Sequence, residues 1–155
     1  MKLPSGSRSG ILETCMPSQP KYWTGAHTKH RLQYHLVWVP KYRKRVLTGK
    51  IAVRIETLFR QCAEVNHWHI AELEIMSDHI HMLVQIRPDL ALSKVVQYFK
   101  GGSSRAIRQE YPELEEFLWG DSFWADGYFA ETVGIANEEL IRRYIRSQRV
   151  SSMPL

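Results

Sequence analysis

Cysteine is nearly absent. The chain has two, Cys15 and Cys62, far apart and without the short spacing of a metal-binding pair. That excludes a disulfide-stapled scaffold and a thiolate zinc site, and it suits a reducing cytoplasm. Long apolar runs are missing too. No segment approaches the roughly 20 apolar residues of a membrane-spanning helix, and the N-terminal MKLPSGSRSGILETCMPSQP lacks the apolar stretch of a secretion signal. The expected location is therefore the cytoplasm. There is no GxSxG elbow, Walker loop, HExxH or CxxC, which removes the best-marked hydrolase, nucleotide-binding, zinc-protease and dithiol readings. Repeats and dividing linkers are absent as well. One domain is expected over residues 29–150, after a Ser/Gly/Pro-containing flexible leader at 1–28 and before a short tail at 151–155. Acidic residues are missing from Lys29 to Lys50, a span that carries Lys29, Arg31, Lys41, Arg43, Lys44, Arg45 and Lys50.

What is present supports a folded, basic domain. With 155 residues, 44% of them hydrophobic, the chain can build a core without staples. Its net charge of +5 and pI of ≈ 9.3 favour an anionic partner, most commonly nucleic acid. Within the basic span, PKYRKR sets Tyr42 among cations, as single-strand binders often do. A solvated surface loop explains the same run equally well. Cys62 falls on the apolar stripe of a predicted helix and reads as a buried thiol.

Periodicity gives the order of elements. LQYHLVWV at 32–39 is a strand by its aromatic and β-branched content, and Pro40 ends it. Residues 51–65 repeat apolar side chains at helical spacing through Ile51, Ile55, Leu58, Cys62 and Val65. WHIAELEIM at 68–76 alternates as a strand, and Ser77 and Asp78 make a tight connection into the next strand. A second helix is predicted from Leu90 to Gln109, interrupted at KGGSSR, where paired glycines mark a bend or a close approach to a ligand. Lys100, Ser103, Ser104 and Arg105 there are donors suited to a phosphate backbone. Residues 116–134 read as one or two short strands around ADG. Residues 137–148 read as a helix capped by Asn137, with Arg142, Arg143, Arg146 and Arg149 towards its end. The order β-α-β-β-α-β plus a final helix predicts an α+β, ferredoxin-like (split βαβ) antiparallel sheet, with helices packed on it and an extra C-terminal helix.

The stretch SDHIHMLVQI carries the first chemical hint. Alternation puts Ile80, Met82, Val84 and Ile86 on one face and His79, His81, Leu83 and Gln85 on the other. Two imidazoles on one rigid face can share a divalent cation, or can simply be hydrogen-bonded histidines. A third ligand and a nucleophile are available on the last helix, where Tyr144 and Gln148 are four apart and share a face. A phenol is a poor nucleophile at neutral pH, but it can attack phosphorus if a metal polarises the phosphate and offsets the developing charge. Two imidazoles and an amide oxygen suit Mg²⁺ or Mn²⁺ in that role. The plainer reading of Tyr144 is packing with Leu140 and Ile141 on the core side. Glu72 and Glu74 are either partners that orient the histidines or ordinary exposed strand carboxylates, and His35, His67 and His69 have no demonstrable face in common with His79.

Taken together, the segments YHLVWVPKYRKRVL, EIMSDHIHMLV, YFKGGSSR, LWGDSFW and RRYIRSQ, in that order between about Arg31 and Gln148, resemble the single-tyrosine HUH transposases (TnpA type) of the smallest bacterial insertion sequences. HUH is His–hydrophobic–His, here His79-Ile80-His81. The resemblance implies a strand transferase and endonuclease that cuts and rejoins single-stranded DNA at element ends through a 5′-phosphotyrosine. His79, His81 and Gln148 would hold Mg²⁺ or Mn²⁺, and Tyr144 would be the nucleophile. It further implies a homodimer with composite active sites and recognition of subterminal DNA hairpins, with Arg31, Lys41, Arg43, Lys100 and Arg105 as candidate contacts. Two other readings remain beside it: a domesticated REP-associated tyrosine transposase acting on chromosomal repeats, and a non-catalytic single-stranded nucleic-acid binder.

Overall fold

The structure, a computed structural model, describes residues 22–116, 118 and 122–151. Most of the expected leader with Cys15, part of the aromatic stretch after Glu116, and the last residues of the tail lie outside the described residues. A two-residue ribbon pairs β1 (Trp23–Thr24) with β2 (Lys29–His30). Then follow β3 (Leu32–Trp38), α1 (Gly49–Val65), β4 (His69–Ile75), β5 (Ile80–Ile86), α2 (Leu92–Glu110), β6 (Phe129–Thr132) and α3 (Ile135–Ser151). The main sheet has the order β4-β5-β3-β6, antiparallel throughout. This is the split βαβ sheet that the element order predicts, with the histidine strand central in it.

The two faces of the sheet differ because the strands alternate. On one side Leu36, Trp38, Ile80, Met82, Val84 and Ile86 join Ile55 and Phe59 of α1 and Val95, Val96, Phe99 and Ile107 of α2 in the main core. Its centre is aromatic. Trp38 meets Phe59 edge-on at 5.5 Å between ring centroids and Trp124 at 6.0 Å, and Phe59 meets Phe99 at 5.6 Å. Such edge-to-face packing suits the ring quadrupoles. The opposite face carries Gln33, His35, Glu72, Glu74, His81 and Gln85, and α3 lies over it. There the apolar cluster is small: Leu83, Val133 and Ile145, with Ala71 and Ile141 beside them.

Ion pairs supplement that thin apolar contact. Glu72 takes both Arg142 and Arg146, Glu74 takes Arg149 at 3.1 Å, and Glu138 takes Arg142 at 2.8 Å and Arg31. Glu74 is directly opposite His81 in the ladder, yet its carboxylate binds the arginine. Glu72 and Glu74 are thus neither exposed strand carboxylates nor partners of the histidines. They fasten α3 to the sheet.

Two local expectations change, and a third is met. α2 is continuous through Gly101 and Gly102, and a Cβ built at either meets nothing within 4 Å, so the chain itself imposes neither a bend nor a close approach. Buried residues before and after the pair hold the helix despite the glycine cost of about 1 kcal/mol each. Asn137 is not the cap of α3. The helix begins at Ile135, and the Asn137 N–H donates to the Gly134 carbonyl at 3.1 Å, inside the first turn. Between α2 and β6 the described chain forms one isolated bridge, Pro40 with Trp124, and β6 is the one strand there among the described residues.

The segment around Trp124 is held by the side chains that the sequence suggested for phosphate. The Phe123 N–H donates to Ser104 Oγ at 2.9 Å, and Trp124 Nε1–H donates to Ser103 Oγ at 2.8 Å. Lys100 Nζ donates to the carbonyls of Ala125 at 2.6 Å and Gly127 at 3.0 Å. Both serines are buried. Cys62 is half-buried; burial pushes its thiol up, against a smaller opposing effect of its contact with Asn66.

Candidate active site

The hairpin between β4 and β5 positions the first histidine. Met76 N–H donates to the His79 carbonyl at 2.8 Å, closing the turn over Ser77 and Asp78, so His79 stands at the mouth of the strand. Its Nδ1 is 2.6 Å from Asp78 Oδ1, and the other Asp78 oxygen accepts from Arg43 Nε at 3.1 Å. Burial favours the neutral carboxyl of Asp78, but the bonds and charges of His79 and Arg43 prevail and hold it below the usual carboxylate range. The same contact fixes the basic loop, in which Tyr42 and Arg43 adopt φ of 58° and 51°.

His81 lies deeper, 5% exposed, with its ring 5.1 Å from that of His79 and nearly perpendicular to it. Its Nδ1 is 3.0 Å from Nε2 of His35, and the two ring planes are 16° apart. His35, 3% exposed, places its Nδ1 2.8 Å from Glu131 Oε1 on β6. A file Glu131–His35–His81 therefore crosses three strands. Burial first, then the nearby His35 and His79, lowers His81 to about 4, so it is neutral at pH 7.

Tyr144 is 48% exposed and sets its ring edge-on to His81 at 5.6 Å and to His35 at 6.0 Å. It borders an open cavity of about 570 Å³ with His35, His81, Glu131, Phe129 and Leu140. The inward-facing residue of this part of α3 is Ile145, so Tyr144 is not a core packing residue. Gln148, one turn further on, donates from its amide to the Tyr144 carbonyl at 3.4 Å. The fold thus gathers His79, His81 and Tyr144, whereas the amide of Gln148 is turned along its own helix. Among the described residues no three His, Cys, Asp or Glu side chains form a metal-holding group. Further ligands beside the two imidazoles would come from Gln148, substrate or water.

The candidate DNA contacts are dispersed. The Arg31 side chain is 9% exposed and bound to Gln33 and Glu138, a packing position between β3 and α3. Lys41 lies over the Tyr42 ring at 5.6 Å, and Arg43 is exposed beside Asp78. Arg105 is exposed and borders a second cavity of about 740 Å³ with Lys100, Gly101, Asp126 and Tyr128. Glu131 escapes sequence reading, and His35 figures in it only as a histidine with no demonstrable face in common with His79. His35 alternates with Gln33 and Val37, but only the ladder places it between Leu83 and Glu131.

Comparison with known proteins gives a consistent answer. The family model described as "Transposase IS200 like" matches residues 28–148. The ISDra2 transposase TnpA of Deinococcus radiodurans is 37% identical over 119 residues, covering 77% of this chain and 85% of that protein. The transposase for insertion sequence element IS200 of Salmonella typhimurium is 35% identical over 123 residues, covering 79% and 80%. Among solved structures, a Deinococcus radiodurans R1 protein assigned as a transposase superposes with a TM-score of 0.67 at 31% identity, over 81% of this chain and 97% of that one. A REP-associated tyrosine transposase bound to a REP hairpin superposes with a TM-score of 0.61 at 12% identity, over 85% and 74%, a likeness of fold alone.

Proposed function

The chain belongs to the IS200-like transposase family, and from that premise we propose that it cuts and rejoins single-stranded DNA at insertion-sequence ends, with Tyr144 as nucleophile. The observation that carries this reading is the placement of Tyr144, half-exposed at a groove with its ring against His81. A structural tyrosine on this helix would point where Ile145 points. In the proposed step Tyr144 Oη attacks phosphorus and gives its proton to solvent, while the bond from phosphorus to the 3′ oxygen breaks and that oxygen takes a proton from solvent. A 5′-phosphotyrosine and a free 3′-hydroxyl result. Attack by a 3′-hydroxyl reverses the step, restores the phenol and reseals a strand without ATP, because the bond energy is kept.

The two histidines suit a divalent cation. Each has Nδ1 engaged by a neighbour, leaving Nε2 for a ligand, and His81 is neutral at pH 7 as a ligand must be. Mg²⁺ or Mn²⁺ held by His79 and His81, with Gln148 once its amide leaves the Tyr144 carbonyl, would polarise the scissile phosphate and offset its charge. Lys41, Arg43 and Arg105 are proposed to steer the DNA backbone, with Lys100 beside them where it releases the carbonyls of Ala125 and Gly127, and subterminal hairpins are its proposed recognition elements. Arg31 joins them only if it exchanges Glu138 for phosphate. The homodimer is a proposal of the same kind, in which α3 of one copy completes the imidazole pair of the other.

The test is incubation with labelled single strands from the ends of its own element, with Mg²⁺ or Mn²⁺. Wild type is expected to form a denaturation-resistant protein–DNA adduct, and Tyr144→Phe and His81→Ala are expected to lose it. Mixing those two inactive variants restores the adduct only if sites are shared between copies. Hairpin binding with no adduct at any end sequence would replace this reading with that of a non-catalytic binder.

A further inference from the structure

The file of side chains that ends at His81 has a direction, and the direction comes from hydrogen-bond chemistry. An ionised carboxylate only accepts, so the contact of Glu131 Oε1 with His35 Nδ1 at 2.8 Å puts a proton on that nitrogen. A neutral His35 ring then has its lone pair on Nε2. The 3.0 Å contact from that atom to His81 Nδ1 is a hydrogen bond only if His81 carries its proton on Nδ1. The lone pair of His81 is thereby left on Nε2. Two protonated rings would instead oppose N–H to N–H across this contact.

We propose that Glu131 and His35 are a positioning pair, fixing His81 as the tautomer with a proton on Nδ1 and a bare Nε2. His79 receives the same constraint directly from Asp78, bonded to its Nδ1 at 2.6 Å. His81, set deeper on β5, receives it through an intervening ring. The pair therefore presents two imidazoles in one protonation pattern. The tautomer follows from these contacts with a neutral His35 ring, a charged one donating from Nε2 and giving the opposite form, while its use in offering Nε2 to a cation rests on the function proposed above. A neutral imidazole in water prefers the opposite tautomer, so without the pair His81 would revert to it. Glu131 is suited to test this, because β6 is exposed along its length and a change there leaves the core intact.

The experiment is long-range ¹H–¹⁵N correlation of the histidine rings in metal-free protein at pH 7.5, together with Mn²⁺ titration by electron paramagnetic resonance. Wild-type His81 is expected to show a protonated Nδ1 and a bare Nε2. Glu131→Ala is expected to shift it towards the Nε2–H form and to weaken Mn²⁺ binding by about 10–100-fold, the usual effect of removing a ligand's outer partner, with little change in Tm. His35→Phe, which keeps a ring but no acceptor, is expected to do the same. Tyr144→Phe should leave both readouts unchanged while removing the DNA adduct. A wild-type His81 protonated on Nε2, or a Glu131→Ala protein with unaltered tautomer and Mn²⁺ affinity, overturns the positioning pair even if adducts form. A fixed tautomer in a protein that never forms an adduct overturns the proposed function and leaves the pair standing.

Discussion

His81 is a polar ring in a nearly closed position, and its protonation state is coupled to folding. Burial and the adjacent His35 and His79 bring it to about 4, against an ordinary 6.5. Between those values the unfolded chain binds a proton that the folded chain refuses. Stability therefore rises with pH over that window and is lost as pH falls from 6.5 towards 4. Each tenfold loss of proton affinity on folding corresponds to about 1.4 kcal/mol, so this residue should account for a loss of ~3 kcal/mol on acidification to about pH 4. Urea midpoints of metal-free wild type and His81→Asn, measured between about pH 7 and 4, check it. The variant should show a flatter pH dependence, and parallel curves would mean that His81 contributes nothing. Asp78 acts lower on the scale. Its depressed carboxyl adds stability that disappears only as pH falls below its ordinary 3.8.

At the scale of elements, α3 is joined to the sheet by a few apolar side chains and a set of ion pairs. Glu72, with its side chain 13% exposed, binds two arginines of α3 and is the firmest of these links. Glu72→Ala removes both pairs and leaves Arg142 without a strand partner. The expected cost is about 1–2 kcal/mol, above that of a typical surface pair because the carboxylate is largely shielded. A denaturant series reads this directly, and a midpoint equal to wild type would show that the apolar contacts alone hold the helix. α2 makes the opposite prediction. Gly101 and Gly102 lie in a continuous helix with open space at their Cβ positions. Gly101→Ala and Gly102→Ala should each stabilise by about 0.5–1 kcal/mol and raise Tm in a calorimetric scan. A fall in Tm would mean that the helix is held in a form only glycine permits. A rise accompanied by weaker single-strand binding would assign the open face to DNA.

The whole molecule is a sheet with unequal sides. α1 and α2 cover an aromatic core, while the helix bearing Tyr144 sets Ile145 on Leu83 and Val133 amid a polar field. Apolar burial contributes roughly 25 cal/mol per Å², so the two sides cannot be equally stable. Native-state hydrogen exchange should find α3 amides opening at lower free energy than those of α1 and α2. Uniform protection across the three helices would contradict that ordering. The asymmetry is consistent with the proposed function, in which Tyr144 would move relative to His79 and His81 to admit and release a DNA strand.

The sequence determined much of this by itself. Alternation on β5 already separated the core residues from His79 and His81, because the period of a strand needs no knowledge of its neighbours. Helical spacing likewise put Tyr144 and Gln148 on one face, and five ordered segments pointed to the family. The glycine pair misled, since propensity is local and the burial of Val95, Phe99 and Ile107 is not. Ser103 and Ser104 misled for a related reason. Their hydroxyls looked free for phosphate until the fold brought Phe123 and Trp124 to them. Only tertiary structure decided that Glu131, His35 and His81 form one file, that Glu72 and Glu74 serve α3, and that Arg31 is enclosed. Each of these depends on which strands become neighbours and in what register. That pairing is a long-range choice, settled by the packing of the whole chain rather than by the residues on either side.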